Sequence, residues 1–256
     1  MDRSLAGAGV MPGHLRMADM QAAIVDLDGT LVHTMGDFVA ALNRMLDELA
    51  VSPAVFRADV AKIGALVGKG SENLIKQVLA LVNSAQAAIN SGAKTGEANL
   101  RVVAAPTFEQ ALESYQRHYR VINGMHATVY PGVVAGLQQL RARGLRLACL
   151  TNKPSAFAHA LLKAKQLDGY FEVTFGGDTF ARKKPDPLPL LKTCEALGTL
   201  PHRTLMVGDS SNDAQAARAA GCPVLLVTYG YNHGQPVRAV DADGFVDSLA
   251  AVSGQF

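Results

Sequence analysis

The chain has 256 residues, of which 49% are hydrophobic and 18% are charged, and its formal net charge is +2. This composition predicts a soluble globular protein with a substantial core, either one large domain or a core with an inserted subdomain. The near-neutral charge argues against a nucleic-acid partner, and no basic run favours a membrane surface. The expected partner is a small molecule, and the sequence selects neither a monomer nor a homo-oligomer.

Residues 1–20 are rich in Gly and Ala but are interrupted by Pro12 and by charged residues, so they lack the continuous apolar region of a signal peptide. We predict a poorly ordered N-terminal extension there. No Cys-x-x-Cys spacing for zinc or redox chemistry occurs, so the cysteines are expected to be reduced core thiols; they are Cys149, Cys194 and Cys222. These features predict a cytoplasmic protein.

The apolar run from residue 22 predicts a buried strand that delivers Asp26 and Asp28 to its carboxyl end. Gly29 and Thr30 then break the run and allow a sharp turn. Two carboxylates at this position are costly to bury unless a cation or a proton compensates them, and a divalent metal is the expected compensation. An ionised aspartate can attack phosphorus while a second one carries the proton, although the pair also fits a plain acidic turn.

Apolar residues recur at helical spacing from residue 38 to residue 119, with residues 83–99 expected to be a loop or a weak helix extension. A block of helices between strands predicts an inserted helical cap over residues 35–121. Further along the chain, strands and helices alternate, as a doubly wound parallel sheet requires. We therefore predict an α/β core formed by residues 21–34 and 122–256.

Two polar motifs follow predicted strands in this core. Thr151 and Asn152 come directly after the strand 147–150, where they can donate to a phosphate or cap the next helix. Lys184 precedes Pro185, which biases the lysine toward an extended conformation that can project its ammonium toward a site. An ordinary basic loop is the alternative for this second motif.

Two more carboxylates, Asp209 and Asp213, follow the apolar strand 205–207. Carboxylate and carbonyl oxygens suit Mg²⁺. We predict that Asp209 binds the metal directly and that Asp213 binds it directly or through water. The alternative for Asp213 is a cap on the helix 214–220.

In chain order, these motifs form a pattern that resembles the haloacid dehalogenase superfamily: Asp-x-Asp-Gly-Thr at 26–30, a Thr after a strand, Lys-Pro, and Gly-Asp-x-x-x-Asp at 208–213. The resemblance covers most of residues 22–227, and the cap least closely. It implies a Rossmann-like core, a Mg²⁺ cofactor and an aspartyl-phosphate intermediate. The roles it implies are Asp26 as nucleophile and metal ligand, Asp28 as general acid/base and carbonyl metal ligand, Thr151 and Lys184 as phosphate binders, and Asp209 with Asp213 as metal ligands.

Within that superfamily the chain is most similar to the phosphoglycolate phosphatases, on the segments 67–70, 151–153, 184–190, 208–213 and 230–234. The resemblance implies hydrolysis of 2-phosphoglycolate to glycolate and phosphate. The chain departs from that pattern at His33-Thr34, where these enzymes often have Asp-Ser, and in the long segment 83–99.

Substrate selection is expected to come from the cap, where Gly68 lets the backbone approach a ligand closely. Lys69 could then meet the carboxylate of phosphoglycolate, although a flexible turn with a solvated lysine explains the same residues. The alternative functions are a phosphatase for another small phosphorylated metabolite, a sugar phosphomutase on the same fold, and a non-catalytic binding module. A dehalogenase or a phosphonate hydrolase is disfavoured because neither resembles the chain at Asp28.

Overall fold

The computed structural model describes residues 16–91 and 106–254. Its centre is a six-stranded sheet, in which every pairing is parallel. The strands are β1 (Ala22–Val25), β4 (Arg146–Leu150), β5 (Val173–Phe175), β6 (Thr204–Gly208), β7 (Val224–Val227) and β8 (Gly244–Val246), in the spatial order β5-β4-β1-β6-β7-β8. The strand order reverses next to β1, and this is where sheets of this kind place their ligands.

Both faces of the sheet are covered. Ala23 and Val25 of β1 pack into one hydrophobic cluster, while Ala22 and Ile24 pack into another on the opposite face. Strands buried on both sides are apolar at every position, which explains the continuous apolar runs in the sequence. The covering helices are α5 (Val133–Ala142) and α6 (Ser155–Ala164) on the first face, and α7 (Leu188–Ala196) and α8 (Ser211–Ala220) on the second. The predicted doubly wound α/β fold is confirmed.

A helical segment lies between two short antiparallel strands, β2 (Val32–His33) and β3 (Thr128–Val129). Because β2 and β3 pair, the chain leaves and re-enters the α/β part at neighbouring points. The segment has its own hydrophobic cluster, which includes the buried rings of Tyr115 and Tyr119. Its helices are α1 (Met35–Glu48), α2 (Val60–Ile63), α3 (Ser71–Asn90) and α4 (Phe108–Ile122).

Two segments were described only loosely by the sequence. For the segment 83–99, where a loop and a weak helix extension were both expected, α3 continues to Asn90 as a helix extension, while residues 92–99 lie outside the described residues. Of the expected N-terminal extension, residues 1–15 also lie outside the described residues, but Met17 and Met20 are buried against the sheet. Across the described ranges, no helix combines the length and the apolar character needed to cross a membrane.

Candidate active site

The loops at the carboxyl ends of β1, β4 and β6 meet in one cavity between the sheet and the helical segment. The cavity encloses about 590 Å³, counting its open mouth, which suits a small ligand. Its polar floor comes from the α/β part, and its apolar walls come from the helical segment. The lining residues include Asp26, Asp28, Thr151, Asn152, Lys153, Lys184, Asp209, Asp213 and Tyr231 on the floor, and Phe38, Val67, Gly68, Leu74, Tyr115 and Tyr119 on the walls.

Three of the predicted carboxylates form one buried cluster. Asp26, Asp209 and Asp213 each offer an oxygen within 4.8 Å of the others. Burial, together with the charge of Asp213, raises the pKa of Asp26 to about 7 although Lys184 opposes the shift. Burial likewise raises the pKa of Asp209 well above its ordinary range. Carboxylates that are costly to ionise together need a cation, and this oxygen-only set fits Mg²⁺.

The backbone at Gly29 shapes the space beside this cluster. Gly29 adopts φ +92°, and a Cβ built there would lie 2.0 Å from Oδ2 of Asp209. Only glycine therefore combines this conformation with the close approach of the carboxylate. The turn after β1, which the sequence marks with Gly-Thr, is thus what admits Asp209 to the cluster.

Lys184 is the buried counter-charge of the cluster. Its Nζ donates to Oδ1 of Asp26, to Oδ1 of Asp213 and to the carbonyl oxygen of Leu150, each at 2.7 Å. Burial disfavours the ammonium, but the carboxylates of Asp213 and Asp26 outweigh this and raise the pKa of Lys184. The ammonium is therefore charged throughout the physiological range. The Lys-Pro motif predicted that the ammonium of Lys184 projects toward a site, and the structure places this ammonium between Asp26 and Asp213.

Asp213 also lies in the first turn of α8, as its third residue. Its Oδ2 accepts hydrogen bonds from the backbone N–H of Asp209 at 3.2 Å and of Ser210 at 3.1 Å, and from Oγ of Ser210 at 2.7 Å. Ser210 and Asp213 form a capping box at the N-terminus of the helix. Asp213 is therefore not the cap itself but the N3 partner of the cap Ser210, and both of its carboxylate oxygens already accept hydrogen bonds.

Asp28 lies at the rim of the cluster and pairs with a second lysine. Nζ of Lys153 lies 2.9 Å and 3.0 Å from the two carboxylate oxygens of Asp28. The same ammonium lies 4.9 Å from the ring centroids of Phe38 and Tyr119. Two aromatic faces and one carboxylate stabilise this buried cation.

The two polar residues that follow β4, Thr151 and Asn152, make different contacts. Helix α6 begins after Pro154, so neither Thr151 nor Asn152 is its cap. Thr151 lines the cavity, and its hydroxyl accepts the backbone N–H of Lys153 at 3.2 Å. The expected phosphate contact of Asn152 is not supported, because its amide nitrogen donates to the carbonyl oxygens of Gly68 at 3.1 Å and Lys184 at 2.8 Å.

The turn between α2 and α3 lines the cavity with Val67, Gly68 and Gly70. The carbonyl oxygen of Gly68 accepts from Asn152 and from Nδ2 of Asn212 at 3.2 Å. Lys69 is exposed and is not a lining residue, so the structure does not bring its ammonium to the cavity. The structure therefore gives no support to a contact between Lys69 and a substrate carboxylate, because the neighbouring glycines of this turn line the cavity and Lys69 does not.

The sequence pattern of the haloacid dehalogenase-like hydrolase family matches residues 20–221. The chain belongs to this family. It is 44% identical over 231 residues to the phosphoglycolate phosphatase of Thiobacillus denitrificans, covering 90% of this chain and 93% of that protein. It is 42% identical over 230 residues to the phosphoglycolate phosphatase of Nitrosospira multiformis, with coverage of 90% and 92%.

Solved structures give the same family relationship. A predicted phosphoglycolate phosphatase from Haemophilus somnus superposes with a TM-score of 0.75 at 28% identity, covering 91% of this chain and 96% of that one. The superfamily resemblance inferred from the four motifs is confirmed. The order of short motifs along the chain was a sufficient signal, although each motif alone had a plain structural alternative.

Two residues at the site of this haloacid dehalogenase-like hydrolase, Lys153 and Tyr231, were not predicted from the sequence to be site residues. Lys153, the last residue of the segment 151–153, pairs with Asp28. Tyr231 donates its backbone N–H to Oδ2 of Asp209 at 2.5 Å, and its hydroxyl accepts the backbone N–H of Thr34 at 2.9 Å. Nδ1 of His33 lies 2.5 Å from the same hydroxyl.

Proposed function

We propose that this hydrolase is a Mg²⁺-dependent phosphatase that converts 2-phosphoglycolate to glycolate and phosphate through a phosphoryl group carried on Asp26. The observation that carries the proposal is the pairing of Asp26 with Lys184 and of Asp28 with Lys153 inside one small cavity. The relatives named phosphoglycolate phosphatase, which match 90% of this chain, support the substrate.

For the metal, Asp26 and Asp209 would supply carboxylate oxygens and Asp28 its carbonyl oxygen. Asp213 already accepts hydrogen bonds on both oxygens, which favours contact through water. When bound, Mg²⁺ neutralises the charge that the phosphate and the carboxylates bring together.

In this proposal, side chains of the protein carry out the nucleophilic attack, the phosphate binding and the proton transfers. Asp26 attacks phosphorus, Lys184 holds that carboxylate in place, and Thr151 donates its hydroxyl to the phosphate. Asp28 protonates the leaving oxygen and later accepts a proton from the water that releases phosphate. Lys153 fixes the orientation of Asp28 at the edge of the cluster.

Residues 35–121 act in this proposal as the cap, set into a core of residues 21–34 and 122–256. The apolar walls that the cap contributes, including Phe38 and Leu74, exclude water from the reacting phosphate. The free, buried thiols of Cys149, Cys194 and Cys222 support the cytoplasm as the compartment.

Purified protein with Mg²⁺ is expected to release glycolate and inorganic phosphate in equal amounts from 2-phosphoglycolate. Addition of a chelator should abolish turnover, since ionised Asp26, Asp209 and the phosphate would then repel one another. Product analysis checks the reaction type, because a phosphomutase would return an isomeric phosphate ester without free phosphate. Full turnover in chelator would exclude the metal-dependent mechanism.

Mg²⁺ is also expected to raise the melting temperature in a pH-dependent way. The folded pKa of Asp26, about 7, exceeds the ordinary value of 3.8, so ionising this group costs stability as the pH rises through this window. A bound cation offsets that cost. The gain in Tm with Mg²⁺ should therefore be larger at about pH 8 than at about pH 5.5, as differential scanning fluorimetry can measure.

The test variant for this measurement is Asp209→Asn, which removes one proposed ligand and should remove most of the Mg²⁺-dependent gain in Tm. The matched control is Asp47→Asn, which removes an exposed carboxylate of α1 and should keep the Mg²⁺-dependent gain. An equal Mg²⁺ effect in Asp209→Asn and in the unaltered protein would place the metal elsewhere.

A further inference from the structure

Two cations line the cavity within the described residues, and they are not equivalent. Lys184 already donates to three oxygens, which uses all three hydrogens of its ammonium. Lys153 has Asp28 as its hydrogen-bonding partner, and its remaining surroundings are the rings of Phe38 and Tyr119. The side chain of Lys153 is only 2% exposed. A buried ammonium with donor capacity to spare can bind an anionic group of the ligand.

The position of Lys153 relative to the reacting bond follows from its partner. If Asp28 protonates the leaving oxygen, a carboxylate oxygen of Asp28 lies within about 3.2 Å of that oxygen. Since Nζ of Lys153 lies 2.9 Å from Asp28, the ammonium stands at most about 6 Å from the leaving oxygen. In phosphoglycolate one methylene separates the ester oxygen from the carboxylate, which puts the carboxylate oxygens about 3 Å from the ester oxygen. The carboxylate of a bound phosphoglycolate can therefore extend from the leaving oxygen about half of the distance to the ammonium, which brings the two charged groups within ion-pair distance.

A second donor belongs to Tyr119, whose ring centroid lies 4.9 Å from this ammonium. The hydroxyl of Tyr119 is buried and finds no hydrogen-bond partner in the described parts of the chain, although its ring lines the cavity. Burial raises the pKa of Tyr119 well above its ordinary value, so the hydroxyl keeps its proton. An unpaired buried hydroxyl costs free energy, and a ligand oxygen in the cavity would satisfy it.

We propose that Lys153 binds the carboxylate of the leaving group, assisted by the hydroxyl of Tyr119, and that this contact restricts the enzyme to phosphate esters of short 2-hydroxy acids. The inference rests on the proposed phosphatase function. Lys153 is thereby the specificity-determining residue, in place of the exposed Lys69. Phe38 and Tyr119 line the cavity, and their ring centroids lie 4.9 Å from the ammonium of Lys153, so a longer leaving group bound there would meet these rings.

The contact with Asp28 gives Lys153 a positioning role as well, so the test has to separate the two. Ethyl phosphate carries a methyl group where phosphoglycolate carries a carboxylate, and both esters need Asp28 equally. In Lys153→Met, kcat/KM should fall for both, but the ratio of phosphoglycolate to ethyl phosphate should fall further, by about 10- to 150-fold, the usual effect of losing one charge-assisted hydrogen bond. Inhibition by glycolate should weaken by a similar factor.

The matched control is Lys76→Met, which removes a cation held over an aromatic ring outside the cavity, 5.0 Å from the centroid of Phe108. Its substrate ratio should not change. Tyr119→Phe keeps the ring and removes the hydroxyl, so it should also lower the ratio, and it serves if Lys153→Met does not fold. Unchanged ratios and unchanged glycolate inhibition in both cavity variants would overturn the inference. Failure of the unaltered protein to release phosphate from phosphoglycolate would instead overturn the proposed function.

Discussion

Asp26→Asn is expected to abolish phosphate release, with a loss on the order of 10⁴-fold or more in kcat, because an amide cannot attack phosphorus. The amide has nearly the shape of the carboxylate, and its oxygen can still accept the hydrogen bond from Lys184. The fold should therefore persist. Acid-quenched reactions with phosphate-labelled substrate should show label on the unaltered protein and none on the variant.

The control for this measurement is Asp47→Asn, a carboxylate exposed on α1 that pairs with Arg57. It should retain full turnover and normal labelling. A folded Asp26→Asn protein with near-normal turnover would exclude Asp26 as the nucleophile and move the covalent step to another carboxylate.

Lys184→Met is expected to have the largest effect on stability, a loss of about 3–5 kcal/mol in the free energy of unfolding near neutral pH. Removing the ammonium leaves Asp26 and Asp213 buried without their counter-charge. The side-chain exposures of 3%, 9% and 2% for Lys184, Asp26 and Asp213 mean that water cannot take over that role. Urea unfolding in the absence of Mg²⁺ measures the change.

This stability loss should depend on pH. Burial raises the pKa of Asp26 to about 7 and that of Asp209 well above its ordinary range, so both carboxylates are protonated more readily than usual. At about pH 5 Asp26 is mostly neutral and needs less compensation, so the loss should be smaller there than at about pH 8. Lys192→Met, which removes an exposed lysine paired with Glu195, should cost no more than about 0.5 kcal/mol at either pH.

Elements buried on both faces were predictable from the sequence, because such strands are apolar at every position. The strands β1, β4, β6 and β7 coincide with apolar runs. The strand β8 was missed because it has three residues and starts with a glycine, which gives no usable periodicity. The sequence left a loop and a weak helix extension both open after Val82, because the residues there are exposed or half-buried and give no burial pattern. Helical continuity and alanine content support the extension of α3 to Asn90.

At the site, residues that directly follow strands were predictable, because parallel strands bring their carboxyl ends to one edge. The pairing of Lys153 with Asp28 was not predictable. A lysine after a strand is ordinarily solvated, and only the placement of Phe38 from α1 and Tyr119 from α4 over its ammonium makes it a buried cation. The position of the Lys69 side chain was not predictable either, since adjacent glycines indicate a close backbone approach without fixing where the side chain between them points.

The central position of β1 has a consequence for synthesis of the chain. Its two neighbours, β4 and β6, begin only at Arg146 and Thr204. An emerging chain therefore carries an apolar strand with both edges unpaired until most of the sequence has left the ribosome, a state prone to misassociation. The strand spans only four residues, Ala22–Val25, and negative charge follows it directly at Asp26 and Asp28. The same aspartates that serve the chemistry thus act as gatekeepers, because charge beside a short apolar run opposes intermolecular strand pairing.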